Sequence, residues 1–311
     1  MKKILSIDGG GIRGIIPATI LAQIEKQTGQ PIAETFDLIA GTSTGGILAL
    51  ALSKAAESGK AQYSAEELID LYAEHGDEIF HRSAWRRIST LRGLSDERYG
   101  HEALENLLRQ YMGDEVLGNA LTHVLVSTYD IENRQPFFFK SWRDESKQVK
   151  MWQAARATSA APTYFEPALV RVVNDDLALV DGGVYINNPA VSAFAEARRL
   201  YQDEAEFLVL SLGTGELTRP IPYEAAKGWG LAAWAIPILS VVLDGVSRAV
   251  DCQMRQMLGD NYYRYQVELT TASDDMDNAS RANIEALKRQ SAELVAQKEE
   301  DLQVLYTKLA G

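Results

Sequence analysis

The pattern of apolar and polar positions in the first part of the chain alternates between strand-like and helix-like segments. Residues 4–7 are a short apolar run that predicts a buried strand, and apolar residues then recur at helical spacing over 16–24. Residues 36–40 predict a second strand, and the apolar run 46–52 predicts a buried helix. Repeated strand, turn and helix segments predict parallel strands joined by crossover helices.

Further segments extend this pattern toward the middle of the chain. Residues 124–128, 137–139 and 207–212 have the composition of strands, whereas 64–67 matches a capping box at the start of a surface helix. The basic segment 83–98 has no periodicity and predicts a loop. Because strand signals continue from residue 4 to 212 without a break in composition, we predict one α/β domain with a mainly parallel sheet.

The C-terminal part has a different character, and we divide the chain into a catalytic core, 1–215, and a helical region, 216–311, of the same domain. Residues 228–243 contain no charged residue, but they are too few for a membrane span of about 20 residues. Two interpretations remain open for this segment: a buried helix, or a hydrophobic lid that contacts lipid. The leucine spacing over 284–309 predicts one amphipathic helix that packs on the core.

Composition and charge narrow the classes of partner. Of the 311 residues 46% are hydrophobic and 24% charged, as in ordinary globular proteins. The formal net charge is −12 and no basic run occurs, which argues against nucleic acid and against electrostatic docking on anionic membranes. Transient apolar contact with a membrane surface remains open, and the sequence assigns no oligomeric state.

The cysteine count and the first residues bear on the compartment. The single cysteine, Cys252, excludes an intramolecular disulfide framework and a multi-cysteine metal site. The first apolar run ends at Asp8, too early for the core of a signal peptide. We therefore expect a cytoplasmic location, with which a peripheral position at the inner face of the membrane is compatible.

The candidate nucleophile is Ser43, within the segment Gly41-Thr42-Ser43-Thr44-Gly45. This segment fits the G-x-S-x-G pattern and lies between a predicted strand and a predicted helix. Small flanking residues allow the sharp turn that exposes a serine hydroxyl, and the positive end of the following helix favours negative charge there. The alternative is a glycine-rich turn with a purely structural purpose.

The candidate base is a carboxylate rather than a histidine. His75, His81, His101 and His123 all precede residue 124, so the Ser-acid-His chain order of α/β-hydrolases is not available. Asp181 ends an apolar strand segment, the position where α/β sheets place their sites, and Gly182 and Gly183 follow it. A carboxylate held against the serine hydroxyl can act as general base. The alternative is an ordinary Asp-Gly turn.

The first glycine-rich loop, from Gly9 to Gly14, has two interpretations. Its G-x-G-x-x-G spacing between a strand and a helix suits a dinucleotide cradle. However, the acidic residue expected at the end of the second strand is replaced by the Ser43 segment. The other interpretation is an oxyanion hole built from the amides of Gly10 and Gly11, with the charge of Arg13 nearby. The adjacent nucleophile candidate favours the oxyanion hole.

Taken together, these motifs resemble the patatin-like phospholipase family. The matching segments, in the order of the family, are 7–14, 41–46, 157–165, 181–183, 187–189 and 211–215. The resemblance implies a three-layer α/β/α fold, a Ser43–Asp181 dyad and an oxyanion hole at Gly10, Gly11 and Arg13. It implies no metal, calcium or other cofactor. It also implies that Pro162 and Pro189 set turns and that Asn187 orients the loop of Asp181.

The predicted function is therefore that of a lipid acyl hydrolase that works through an acyl-enzyme. The resemblance implies a lipid ester substrate, namely a phospholipid, a lysophospholipid or a galactolipid. A cytosolic bacterial member is the better analogy than the secretory plant members. Two alternatives stay open: a phospholipase effector of bacterial phage defence that a small molecule or partner activates, and a nucleotide-binding module that uses the Gly9–Gly14 loop.

Overall fold

The computed structural model describes residues 1–79, 101–216, 220–234 and 237–310 and has a mixed β-sheet at its centre. The strands are β1 (Lys2–Ile7), β2 (Leu38–Thr42), β3 (His123–Asp130), β4 (Gln135–Lys140), β5 (Ala168–Val172), β6 (Asp175–Asp181), β7 (Phe207–Leu212) and β8 (Tyr262–Tyr265). The α-helices are α1 (Ile15–Thr28), α2 (Ile32–Thr35), α3 (Thr44–Leu52), α4 (Ala65–Ile79), α5 (His101–Met112), α6 (Met151–Thr158), α7 (Ala190–Leu200), α8 (Tyr223–Ala226), α9 (Leu231–Trp234), α10 (Pro237–Leu258), α11 (Arg281–Gln297) and α12 (Glu299–Ala310).

The strand order is β5-β6-β3-β2-β1-β7-β8, and β4 pairs with the second edge of β3. The five strands from β3 to β8 in this order are parallel, as predicted from the strand–turn–helix pattern. Strands β4 and β6 pair antiparallel with β3, and β5 pairs antiparallel with β6. The predicted α/β class with a mainly parallel centre is confirmed.

Helices cover both faces of the sheet and give three layers. Successive residues of a strand point to opposite faces, so Leu5 and Ile39 pack in one apolar cluster while Ile4 and Leu38 pack in another. Helices α1, α3, α11 and α12 contribute to the first cluster, and α7 and α10 contribute to the second. Strands β1, β2 and β7 are largely buried on both faces, which explains their continuous apolar runs.

Two predicted boundaries are wrong. Strand β2 begins at Leu38 rather than at residue 36, and it continues through Gly41 and Thr42. The single helix predicted over 284–309 is two helices, α11 and α12, which are separated at Lys298. Both pack on α1, and the break lets each helix present its own leucines to that neighbour. The acidic residues that open α12 favour a new helix N-terminus at this point.

The uncharged segment 228–243 is not a buried helix, so that interpretation is wrong. Leu231 is 95% exposed, and Ile238 and Val241 are also exposed. Pro237 begins α10 rather than interrupting it, because the first helical position needs no N–H donor. Only one stripe of α10 faces the body, including Val250 and Met254, so the apolar residues on its other side lie at the surface.

Three further predictions concern the start of α4, the loop at 83–98 and membrane spans. The capping box at the start of α4 is confirmed, because the Ser64 amide donates to Glu67 and the Glu67 amide donates to the Ser64 hydroxyl. The loop predicted at 83–98 lies outside the described residues. Within the described ranges, no helix is both long and apolar enough to cross a membrane.

Candidate active site

Ser43 lies in a strained turn between β2 and α3. Its backbone has φ 55° and ψ −124°, a conformation that is unfavourable for a residue with a side chain. The flanking glycines permit this turn, because a Cβ atom on Gly45 would lie 2.2 Å from the carbonyl oxygen of Ile7. A Cβ atom on Gly41 would lie 2.1 Å from the carbonyl oxygen of Gly45. The G-x-S-x-G spacing therefore has a steric cause here.

The backbone of Ser43 is held by a side chain that the motif search did not single out. The Ser43 amide donates a hydrogen bond of 2.9 Å to Oγ1 of Thr158, at the end of α6. The same hydroxyl donates a bond of 2.7 Å to the carbonyl of Ser127 in β3. Thr158 is fully buried, so both bonds are shielded from water. The segment 157–165 carried the signal for this residue, but the sequence did not indicate its partner.

Strand pairing brings Asp181 next to Ser43. Strand β4 pairs with residues 125–130 of β3 and occupies one edge of β3 over this range. Strands β2 and β6 also pair with residues of this range, so both must lie on the other edge of β3. Thr42, at the end of β2, pairs with Ser127, and Asp181, at the end of β6, pairs with Thr128. The two strands run in opposite directions, so their C-terminal ends meet at adjacent residues of β3.

The carboxyl group of Asp181 is buried and has an altered acidity. Burial raises its pKa from the usual 3.8 to about 7, while hydrogen bonds from the Ser43 hydroxyl and the Gly183 amide act in the opposite direction. The Gly183 amide donates to Oδ1 at 2.7 Å. Gly182 must lack a side chain, because its Cβ would lie 2.3 Å from Oγ of Ser127. Both glycines after Asp181 thus have a local structural purpose.

The loop after β1 borders the same pocket as Ser43. Gly10 and Gly11 both line the pocket that contains Ser43 and Asp181. Nε of Arg13 donates to the carbonyl of Gly10 at 3.2 Å. Because a trans peptide points its N–H away from its C=O, the Gly11 amide is directed away from this guanidinium. In the described ranges neither the Gly10 nor the Gly11 amide donates a hydrogen bond to the protein.

Arg13 itself is placed differently from the expectation. Its side chain is buried behind the loop and does not belong to the pocket wall formed by the described residues. Burial lowers the pKa of Arg13 to about 10, so the guanidinium remains charged at neutral pH. The structure therefore brings together Ser43, Asp181, Gly10 and Gly11, whereas Arg13 contacts the loop from outside the pocket.

A buried ion pair anchors the same loop to the C-terminal region. Asp8 accepts hydrogen bonds from the Arg264 guanidinium of β8, at 2.6 Å for the shorter contact, and from the Ser247 hydroxyl of α10 at 2.9 Å. Both partners of the ion pair are almost fully buried. Sequence reasoning missed this anchor, although a lone arginine in the apolar strand Tyr262–Tyr265 is a signal for a buried acidic partner.

Asn187 contributes a second tie between the loops. The amide of Gly9 donates to the carbonyl of Asn187 at 3.1 Å, and Asn187 also lines the pocket. Gly14, the last motif glycine of the first loop, packs against Thr44 at the start of α3. The glycine-rich loop, the Ser43 turn and the segment after Asp181 are thereby fixed relative to one another.

The pocket beyond these polar groups is apolar. It is partly enclosed and partly open to solvent. Its apolar wall includes Ile47, Ile79, Leu104, Phe165, Val184 and Leu243. A concave apolar pocket with a few convergent polar groups is the usual form of a small-molecule site. This one fits a hydrocarbon chain better than a ribose or a phosphate.

The described histidines have other partners. Nδ1 of His101 pairs with Glu166 at 2.5 Å, and Nδ1 of His123 contacts the Tyr201 hydroxyl at 2.7 Å. His75 packs edge-on against Tyr111, and His81 lies outside the described residues. None of the three described histidines lines the pocket. Within the described ranges, no group of three or more His, Cys, Asp or Glu side chains could hold a metal ion.

Comparison with known proteins identifies the family. A family model described as patatin-like phospholipase matches residues 5–194. The chain is 35% identical to patatin-like protein 2 of rice (Oryza sativa subsp. indica), over 92% of this chain and 82% of that protein. It is 34% identical to patatin of Solanum tuberosum, with the same two coverages. The chain belongs to the patatin-like phospholipase family, and the resemblance seen in the sequence is confirmed.

A solved structure supports the fold independently. Human GIVD cytosolic phospholipase A2 aligns with a TM-score of 0.51 and 13% identity, over 99% of this chain and 60% of that chain. At this identity the likeness concerns the fold alone. Family membership supports a lipid acyl hydrolase activity for the chain.

Proposed function

We propose that this protein hydrolyses lipid esters with a Ser43–Asp181 dyad and an acyl-enzyme intermediate. The observation that carries the proposal is the position of the two side chains. A serine in a strained turn and a buried carboxyl group with a raised pKa share one wall of an apolar pocket. Strained backbone and perturbed acidity are concentrated at functional sites.

In the first half of the reaction, Asp181 accepts the proton of the Ser43 hydroxyl as Oγ forms a bond to the ester carbonyl carbon. The carbonyl oxygen becomes negative and receives hydrogen bonds from the amides of Gly10 and Gly11, which have no partner in the described protein. Donors of this kind contribute roughly 3 kcal/mol each in comparable sites. The bond to the alcohol oxygen then breaks, and Asp181 returns its proton to that oxygen.

In the second half, Asp181 takes a proton from a water molecule as that water attacks the acyl carbonyl of Ser43. The bond from Oγ to the acyl carbon breaks, the proton returns to Oγ, and the fatty acid leaves. Among the described residues, no third side chain orients the base. Instead, the Gly183 amide and the pairing of β6 with β3 hold Asp181 in place, so backbone geometry takes over the orienting role.

The roles of the other groups follow from their positions. Arg13 holds the Gly10 carbonyl and thereby orients the Gly11 amide, and the apolar part of the pocket takes the acyl chain. The substrate is a phospholipid, a lysophospholipid or a galactolipid. The placement of Gly10 and Gly11 on the wall shared with Ser43 favours an oxyanion hole over a nucleotide cradle in the Gly9–Gly14 loop.

The acidity of Asp181 gives an expected pH profile. Only the ionised carboxylate can accept the serine proton, and its pKa is about 7. We therefore expect kcat/KM for a soluble ester to rise about tenfold per pH unit below this value and to level off above it. A profile that is flat between pH 5 and pH 8, with the fold intact, would contradict the assignment of Asp181 as the base.

The direct test combines covalent labelling with product analysis. Purified protein is treated with a fluorophosphonate and, separately, with mixed lipids, and released fatty acids are measured by mass spectrometry. We expect a label on Ser43 and a loss of turnover of at least about 10³-fold in both Ser43→Ala and Asp181→Asn. Asp175→Asn is the matched control, because this exposed residue begins the same strand and should leave turnover unchanged. Turnover retained in Ser43→Ala or in Asp181→Asn would refute the dyad.

A further inference from the structure

Exposed apolar side chains are concentrated in one part of the described chain. Eleven large hydrophobic residues are exposed among the described residues, and five of these lie between residues 221 and 241. The five, which we call the apolar surface, are Ile221, Tyr223, Leu231, Ile238 and Val241. Clusters of this kind mark sites of contact with another molecule or a membrane.

The charges within the segment that carries the apolar surface cancel. Residues 221–243 contain one acidic and one basic residue, Glu224 and Lys227, and these two form an ion pair with each other. The whole chain carries a net charge of −12, so this segment is a locally neutral patch on an acidic protein. Such a patch has no electrostatic attraction to anionic lipid head groups or to nucleic acid.

Two tryptophans lie in the same segment. Trp229 and Trp234 pack edge to face with ring centroids 5.1 Å apart, and both are only partly buried. Indole rings favour the boundary between hydrocarbon and water, because one side of the ring is apolar while its N–H needs a polar partner. This composition fits the interfacial region of a bilayer.

Helix α10 connects the apolar surface to the pocket. Ile238 and Val241 in its first turns are exposed, while Leu243, close to them in the helix, lines the pocket that contains Ser43. One turn later Ser247 binds Asp8 at the base of the glycine-rich loop. Farther along α10 the outward positions become charged, with Arg248 and Arg255 paired to acidic residues of the same helix. The two members of the apolar surface on α10, Ile238 and Val241, therefore lie at the end of the helix that also carries Leu243.

We infer that the apolar surface docks the protein on the surface of an electrically neutral phospholipid bilayer, such as one of phosphatidylcholine. Insertion of these side chains into the interfacial region brings the pocket mouth close to the lipid that is to be hydrolysed. No helix of the described residues can span a membrane, so the contact is peripheral. The inference deepens the proposed function, since it rests on that function for the identity of the reacting lipid.

The test separates docking from catalysis. Sedimentation with phosphatidylcholine vesicles is measured for Ser43→Ala and for Ser43→Ala combined with Leu231→Glu and Val241→Glu, so that hydrolysis cannot alter the vesicles. We expect the partition coefficient to fall about tenfold or more with the two added charges, because interfacial binding scales with buried apolar area. Binding of Ser43→Ala should not weaken at high ionic strength or increase when phosphatidylglycerol is added.

Leu169→Glu, on the Ser43→Ala background, is the matched control. Leu169 is 72% exposed and lies on β5, at the opposite edge of the sheet from β8, so this change should leave vesicle binding unaltered. Turnover of a soluble short-chain ester is measured in the Leu231→Glu, Val241→Glu pair with Ser43 present, and it should equal that of the natural protein.

Several outcomes would overturn the inference. These are unchanged vesicle binding in the charged variant, an equal loss in the Leu169→Glu control, or no binding of Ser43→Ala to phosphatidylcholine. A dimer in sedimentation velocity that Leu231→Glu dissociates would instead assign the surface to a second copy of the chain. If the natural protein shows no ester turnover but Ser43→Ala still binds vesicles, the proposed chemistry fails while docking stands.

Discussion

The end of the sheet that carries Ser43 and Asp181 and the apolar surface at 221–241 differ in the polarity and in the burial of their side chains. In the first region polar groups are buried and paired: Thr158 holds the Ser43 amide, and Gly183 holds the Asp181 carboxyl. In the second region apolar groups are exposed, and the helices are short up to the start of α10. Polar residues are usually exposed and large apolar residues are usually buried, so both regions depart from the usual distribution.

This difference separates two requirements of a reaction at a lipid surface. Proton transfer requires fixed groups, since a small displacement of a base or an oxyanion donor removes most of its effect. Contact with a bilayer requires exposed apolar area and tolerates varied geometry. We therefore expect substitutions in the first region to change stability and turnover, whereas substitutions in the second should change only binding to vesicles. The four predictions below test this contrast, in decreasing order of their effect on the free energy of unfolding.

The largest effect is expected where the two regions are joined. Arg264→Met leaves the Asp8 carboxylate buried without its cation, and removal of one partner of a buried ion pair costs about 3–5 kcal/mol. Urea denaturation measures the loss. Arg255→Met is the control, because Arg255 pairs with Asp251 at the surface of α10 and such pairs contribute about 0–1 kcal/mol. Equal effects of the two variants would mean that the Asp8 anchor has no special importance.

The second largest effect on the free energy of unfolding is expected for Asp181→Asn, which replaces the proposed base and should stabilise the protein. The pKa of Asp181 is about 7 in the folded protein, compared with 3.8, the usual value of an aspartate, in the unfolded chain. The folded state therefore holds a proton that the unfolded state has released, and the natural protein loses stability as pH rises from about 4 to 7. Each pKa unit corresponds to about 1.4 kcal/mol. We expect Asp181→Asn to be more stable by about 2–4 kcal/mol at pH 8.

The pH dependence of this gain provides its control. Thermal and urea unfolding of both proteins should converge as the pH falls toward 4, because the carboxyl group becomes protonated in both the folded and the unfolded state only below the unfolded pKa of 3.8. A gain that is equally large at pH 4 and pH 8 would have a cause other than titration of Asp181. A loss of stability at pH 8 would contradict the desolvation argument.

A smaller effect is expected at Thr158. The change Thr158→Val keeps the volume but removes the hydroxyl that serves both the Ser43 amide and the Ser127 carbonyl. Leaving buried groups unpaired costs about 1–3 kcal/mol. Since the turn that carries Ser43 loosens, kcat should fall about tenfold with little change in KM. Thr158→Ser retains the hydroxyl and should restore most of the activity; failure to do so would indicate that the methyl group matters instead.

The smallest effect is expected at the apolar surface. Leu231→Glu places a charge at a side chain that is already 95% exposed, so the free energy of unfolding should change by less than about 0.5 kcal/mol. Turnover of a soluble ester should also be unchanged. Thermal unfolding and ester kinetics check both statements. A marked loss of either would mean that Leu231 supports the pocket, and the contrast between the two regions would be lost.

Much of the fold followed from local patterns, and the exceptions have identifiable causes. Segments buried on both faces, such as β7, are continuous apolar runs and were predicted at their observed bounds. The extension of β2 through Gly41 and Thr42 was missed, because glycine is unfavourable in strands and only pairing with β1 and β3 keeps it there. The break at Lys298 was missed because the leucine spacing continues across it.

The candidate site also has features that were predicted from local sequence and features that were not. The Ser43 turn was predicted from five consecutive residues, because the close approach of Gly41 to the Gly45 carbonyl is local, although Gly45 must also clear the Ile7 carbonyl of β1. The catalytic roles of Ser43 and Asp181, and the oxyanion role of Gly10 and Gly11, remain proposals. Arg264 was not found from the sequence, because the lone arginine in Tyr262–Tyr265 indicates a buried acidic partner but not that this partner is Asp8, at the other end of the chain.

By itself the sequence determined the family, the parallel α/β core and the turn that presents Ser43, because glycine positions and apolar periodicity act over a few residues. The sequence named Asp181 as the candidate base, but only the tertiary structure decided how this carboxyl group reaches that serine. The antiparallel return of β6 along the edge of β3 places Asp181 at the end of β2, and the burial there raises its pKa. Tertiary structure also decided that Leu231, Ile238 and Val241 of the uncharged segment are exposed, since a helix on the surface of a sheet buries only one of its sides.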